Sequence, residues 1–229
     1  MSTIQNNLQA VNARIAAACA ASGRARSAVR LVAVSKTFPA EAVRAAAEAG
    51  QRDFGENYVR EAQEKMRALS DLPLVWHFIG PIQSNKTRPI AEAFQWVHSI
   101  DREKIANRLS EARPADLPPL KVCIEVNVSG ETSKSGVAPQ AAPALAKHVQ
   151  ALPRLELRGL MAIPEPTPDV QLQRQRFRML RELKEELARA GLALDTLSMG
   201  MSADLEAAIA EGATMVRVGT AIFGERGKA

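Results

Sequence analysis

The sequence predicts a single (β/α)8 barrel preceded by an extra helix, forming one domain over residues 1–229. Two observations carry this. Short apolar runs rich in Val and Ile alternate with longer alanine-rich amphipathic segments, and eight such alternations supply the strands and crossover helices of a closed parallel sheet. The segment after the first run, SKTFPAEA, contains no glycine, whereas an open dinucleotide-binding sheet needs a glycine-rich turn there.

The elements follow in order. A helix is expected from Thr3 to Ala21, ahead of the first strand VRLVAVSK (29–36) and the helix PAEAVRAAAEAG. The second strand, DFGEN (53–57), leads into YVREAQEKMRAL, and the third, LVWHFIG (74–80), into TRPIAEAF. QWVHSI (95–100) and REKIANRLSEA make the fourth pair, LKVCIEVNV (120–128) and APQAAPALAKHVQAL the fifth. LELRGLMAI (155–163) precedes the long helix QLQRQRFRMLRELKEELARAG, whose charge on most of its surface suits a solvated outer ring. The last strands are TLSMG (196–200), followed by SADLEAAIAEGA, and TMVRVGTAIFG (214–224). ARPADLPPL (112–120) and PEPTPDV (164–170) read as loops.

Composition narrows the function classes. The net charge of +5 is spread along the chain and aromatics make up only 4%, which disfavours a base-stacking nucleic-acid binder. A modest positive charge also suits an anionic small ligand. Cys19 and Cys123 lie far apart with no metal-ligand spacing, so neither a disulfide framework nor a zinc site is expected. The N-terminus has no basic stretch followed by an apolar run, and no segment approaches a membrane span. A soluble, cytoplasmic protein is the expectation.

A barrel gathers its strand C-terminal ends at one rim, where active sites lie. Lys36 closes the first strand. Either it snorkels to water, or it sits partly desolvated as a free amine able to form an imine with a carbonyl. The segment LSMGMSADLEAAIAEG offers Ser202 as a helix cap after the seventh strand, with Asp204 in the first turn suiting the helix dipole. In RVGTAIFG, Gly219 permits close backbone approach and Thr220 supplies a hydroxyl. Loops after strands seven and eight are the common phosphate site of such barrels, although a capped helix and a tight turn explain the same residues. Arg217 shares a strand face with Gly219 by the two-residue period. It then points into the mouth, beside the strand that carries Lys36, or else outward as an ordinary ion pair.

Taken together, LVAVSKTFP, FGENYVREAQEK, WHFIGPIQSNK, IEVNVSGETSKSG, RGLMAI, LSMGMSADLEAAI and VRVGTAIFGER resemble the pyridoxal phosphate homeostasis proteins, in order and over nearly the whole chain. That family's fold is a single barrel like the N-terminal domain of fold-type III pyridoxal phosphate enzymes. The resemblance implies pyridoxal 5′-phosphate held as an internal imine on Lys36. It also implies a phosphate held by the segment Ser198, Gly200, Met201 and Ser202 with Gly219 and Thr220, Arg217 facing the pyridine nitrogen, and Asn57 beside the cofactor. His77, near the same rim, is a further candidate contact.

An arginine at the ring nitrogen disfavours protonation there and makes the ring a weaker electron sink. Racemisation would need a second acid/base on the opposite face. In the racemases that the family resembles, a tyrosine from a C-terminal domain supplies it, and that domain is expected to be absent here. Tyr58 is the only tyrosine and is expected at a helix start or on the rim, while His77 and His98 lie in apolar strands that suit core histidines. The expected function is therefore carriage and buffering of the cofactor by a monomer, with apo-enzymes as recipients and no efficient turnover. A racemase-like enzyme and a cofactor-free lysine aldolase are the alternatives. Two loops complete the reading: GPIQSNK, with Ser84 as a helix cap and Lys86 nearby, and SGETSKSG, whose Lys134 either is solvated or helps the cofactor pass.

Overall fold

The structure, a computed structural model, describes residues 3–130 and 135–225. Eight parallel strands close into a barrel in sequence order: β1 (Arg30–Val34), β2 (Asp53–Glu56), β3 (Val75–Phe78), β4 (Trp96–Ile100), β5 (Leu120–Glu125), β6 (Leu155–Met161), β7 (Thr196–Ser198) and β8 (Met215–Val218). The closing pair is β1 with β8, in the register Val32↔Arg217 and Ala33↔Val218. Each strand lies inside its predicted run. Helices α1 (Thr3–Ala21), α2 (Ala40–Glu48), α3 (Val59–Ala68), α4 (Thr87–Ala93), α5 (Glu103–Ala112), α6 (Ala142–Gln150), α7 (Val170–Arg189) and α8 (Leu205–Ala210) ring it, and α9 (Thr220–Phe223) follows β8.

Most predicted strand ends overrun, two of them beside the candidate site. β1 stops at Val34, so Lys36 stands in a turn rather than in the sheet. The eighth run breaks at Val218, the last residue it pairs with β1, and TAIF coils into α9.

Apolar side chains divide into two cores. The larger fills the space between sheet and helices, and α1 joins it through Leu8, Val11, Ile15, Ala18 and Cys19, an i, i+3, i+4 stripe. A smaller cluster of Val32, Trp96, Cys123, Met161 and Met215 is separate from it. The β5–β6 register shifts between Val122 and Cys123, opposite Gly159, where a Cβ would stand 1.8 Å from the Thr196 carbonyl oxygen. Only glycine fits there. Among the described residues no helix is long and apolar enough to cross a membrane.

Candidate functional site

The Lys36 turn is clamped from both sides. Before it, the Ser35 hydroxyl donates to Glu56 Oε1 at 2.6 Å, and Lys65 Nζ donates to the Ser35 carbonyl at 2.7 Å. After it, the Thr37 amide donates to Glu61 Oε1 at 2.6 Å. Lys65 joins the two sides, bonding Glu56 at 2.7 Å and Glu61 at 2.6 Å while nearly fully buried. Thr37 adopts φ +68°, a left-handed conformation costly for a β-branched residue. Such strain persists only where surroundings over-determine it. Burial raises the Glu56 carboxyl above the usual carboxylate range, and the ammonium of Lys65 opposes that rise.

Arg217 rises from β8 into the mouth and is buried. Its Nη1 donates to Ser198 Oγ at 2.7 Å and its Nη2 to the Ala162 carbonyl at 2.9 Å. Burial lowers its pKa to about 10, opposed by the charges of Glu125 and Asp204, so it stays cationic at neutral pH. Gly219 follows on the same strand. A Cβ there would lie 3.1 Å from the Val34 carbonyl oxygen, so the missing side chain lets the chain after β8 pack close against the end of β1.

The segment after β7 departs from prediction in one respect. Helix α8 begins at Leu205 with Asp204 at the cap position, so Ser202 does not cap it; Met201 to Asp204 form a turn that delays the helix. Asp204 Oδ1 accepts the Met201 amide at 2.5 Å. Gly200 has φ +94°, and a Cβ there would stand 2.5 Å from the Ala208 side chain. Helix α1 braces this side of the rim: Arg14 Nη2 donates to the Ser202 carbonyl at 3.0 Å and Asn7 Nδ2 to the Ile222 carbonyl at 3.0 Å.

The β1–β2 register pairs Val34 with Gly55, so Lys36 and Asn57 each lie two residues beyond that pair. Asn57 Oδ1 is buried without a hydrogen-bond partner. Thr220 is exposed at the start of α9. The mouth thus gathers Lys36, Asn57, Arg217, Gly219 and Thr220, with the Gly200–Ser202 turn beside them. Ser198 turns its hydroxyl toward Arg217 and His98. His77 does not join the group: both ring nitrogens are engaged, by Asp53 and His98, and the side chain is fully buried.

Tyr58 is 55% exposed and immediately precedes α3. With Asn57, Lys86 and Arg102 it lines a groove of about 730 Å³ that shares only Asn57 with the mouth residues. Ser84 makes no side-chain cap; its short 3-10 turn leads into α4, whose cap position is Lys86. Lys134 lies outside the described residues.

Sequence reasoning missed Glu125 and Lys65. Glu125 closes β5, and burial with the nearby Asp101 charge pushes its pKa up to about 7. Its signal was an acidic residue ending the apolar run VCIE. Lys65 sits in a charge-rich helix, where nothing local marks it as buried.

The residues present suit an anionic aldehyde cofactor with an aromatic nitrogen. They offer a lysine on a clamped turn, an orphaned buried amide oxygen and a buried permanent donor.

Comparison with known proteins decides the family. Residues 6–227 match the family described as alanine racemase, N-terminal domain. A pyridoxal phosphate homeostasis protein from Pseudomonas aeruginosa is 66% identical, covering 99% of this chain and 97% of that protein. The chain belongs to the pyridoxal phosphate homeostasis protein family.

Its Escherichia coli relative of the same name is 52% identical over 99% of this chain and 98% of that one. The solved structure of PipY from Synechococcus elongatus, with pyridoxal phosphate bound, superposes with a TM-score of 0.81 at 39% identity, covering 92% of this chain and all of that one. Alanine racemase from Clostridium difficile shares the fold at 13% identity and a TM-score of 0.77, and the match spans 56% of its length.

Proposed function

We propose that this barrel binds pyridoxal 5′-phosphate at its mouth, attached through the Lys36 amine, and carries or buffers the cofactor for other enzymes. The observation that carries the reading is the pairing of a clamped Lys36 turn with buried Arg217 across the β1–β8 seam. When bound, pyridoxal phosphate supplies an aldehyde that takes up an amine and a ring that accepts electrons. Lys36 would hold the aldehyde carbon from its half-buried place on the clamped turn. Arg217 would donate to the ring nitrogen and, as a permanent cation, keep that nitrogen unprotonated. Gly219, Thr220 and the turn from Gly200 through Met201 and Ser202 would hold the phosphate, and Asn57 would lie beside the ring. We further propose that the protein works as a cytoplasmic monomer with apo-enzymes as recipients.

Glu125 supports a second reading. A buried carboxyl that titrates near neutrality at the same mouth suits acid/base work, as a racemase-like enzyme requires.

The visible spectrum of the purified protein, before and after borohydride, tests the first reading. An imine band present in wild type, lost in Lys36→Ala and fixed by reduction as a mass increase on Lys36, is the expected result. A protein that stays colourless in excess cofactor overturns it. Transfer to an apo-enzyme without amino-acid turnover separates carrier from racemase, and light scattering tests the monomer.

A further inference from the structure

A line of hydrogen bonds climbs through the barrel from its lower end to Arg217. Asp53, at the start of β2, accepts from Arg30 at 3.4 Å and lies 2.9 Å from His77 Nε2 on β3. His77 Nδ1 lies 2.9 Å from His98 Nε2 on β4, and His98 Nδ1 lies 2.8 Å from Ser198 Oγ on β7. Ser198 Oγ in turn accepts from Arg217 Nη1 at 2.7 Å. His77, His98, Ser198 and Arg217 are all buried; Asp53, the lower end, keeps a side chain that is 17% exposed.

With both rings neutral, only one arrangement of protons satisfies every link. A guanidinium can only donate, so Ser198 accepts from it and has its own proton to give. A carboxylate can only accept, so His77 must carry its proton on Nε2. His77 Nδ1 is then an acceptor, His98 must donate from Nε2, and His98 Nδ1 must accept from Ser198. Both rings are neutral in this scheme. Burial lowers both histidines; the Asp53 carboxylate opposes this at His77, while His77 and the Arg217 charge add to it at His98, which falls well below its ordinary value. The reverse tautomers would set a bare nitrogen lone pair against the Asp53 carboxylate.

We propose that Asp53, His77 and His98 are positioning residues for Arg217: the carboxylate at the lower end of the barrel selects both histidine tautomers, and these fix the Ser198 hydroxyl and the guanidinium in a single donor orientation toward the mouth. The inference deepens the proposed function, on which its cofactor-dependent half rests. A carboxylate that holds a distant imidazole in one tautomer is a known device for keeping a reactive group in register.

The test uses the full-length protein with and without pyridoxal phosphate. In ¹⁵N spectra of the imidazoles, with the third histidine removed by His148→Gln, His77 and His98 should both carry the proton on Nε2. Asp53→Asn should mix the tautomers and weaken cofactor binding about 5-fold, the size of one hydrogen bond. In a Ser198→Ala background, where the line is cut, Asp53→Asn should have no further effect on binding. A proton on Nδ1 of either histidine in the unmutated line overturns the inference, as does an equal Asp53→Asn effect in both backgrounds. If the protein binds no cofactor at all, the proposed function fails, while the tautomers still decide whether the line is set from Asp53.

Discussion

The two sides of the barrel mouth are built differently. On the lysine side, the turn after β1 is gripped by Glu56, Glu61 and Lys65, ionic groups that are mostly buried and come from neighbouring elements. On the side of the β7 and β8 loops, the backbone is tied to α1 by Asn7 and Arg14, and the ion pair of Arg14 with Glu206 is open to water on both partners. Exposed pairs contribute little, whereas a buried pair, once broken, leaves a stranded charge. The amine thus depends on charges that cannot be removed singly, and the side proposed to hold the phosphate depends on backbone shape.

Lys65→Ala breaks that contrast most severely. It strands Glu56 and releases Ser35, so unfolding free energy should fall by about 3–5 kcal/mol in a denaturant titration. The Lys36 imine band should weaken with it. A loss under 1 kcal/mol would show that the clamp is not needed to hold the turn.

Glu125 offers a pH test on the mouth itself. Its folded pKa, about 7, lies above the unfolded carboxyl value of 4.5. Between those values the folded state holds the extra proton, so this group's stabilisation is complete below pH 4.5 and lost as pH rises to about 7. Wild type should therefore lose up to about 3 kcal/mol relative to Glu125→Gln over that window, at 1.36 kcal/mol per pKa unit. Parallel stability curves for the two proteins would sink this assignment.

Gly200→Ala probes the shape-dependent side. The new methyl meets Ala208 in a left-handed backbone, and a loss of about 2 kcal/mol is expected from crowding and strain. Phosphate-ester ligands should bind more weakly, while reaction of Lys36 with a phosphate-free aldehyde should be spared. Arg14→Ala should do least, about 0–1 kcal/mol by calorimetry. A larger loss would mean that the bond to the Ser202 carbonyl, not the ion pair, carries the brace.

Much of this was legible in the sequence where periodicity speaks. All eight strands fall within predicted runs, and α1 has its predicted bounds. The polarity of Lys36 and Arg217 inside apolar runs marked them, since a charge at a strand end needs a reason. Strand termini were less legible, because β8 ends with its last pairing to β1 and not where its own β-forming residues do. Lys65 was hidden for a related reason: α3 carries several charges, and only packing against Ser35 and Glu56 distinguishes the buried one. His77 and His98 stood out as histidines in apolar strands, yet their link to Ser198 spans about half the barrel and has no trace in local sequence.

The bonds from α1 have a consequence in time. Asn7 reaches Ile222, and Arg14 reaches Ser202, across separations of 215 and 188 residues. Contacts of that span are the last a growing chain can make. During synthesis, α1 leaves the ribosome before the strands and waits with much of its apolar stripe uncovered until α8 and α9 follow. The loops expected to hold phosphate therefore take their final shape only after residue 222 has emerged, and a nascent chain cut short before it should carry the lysine but no finished cradle for it.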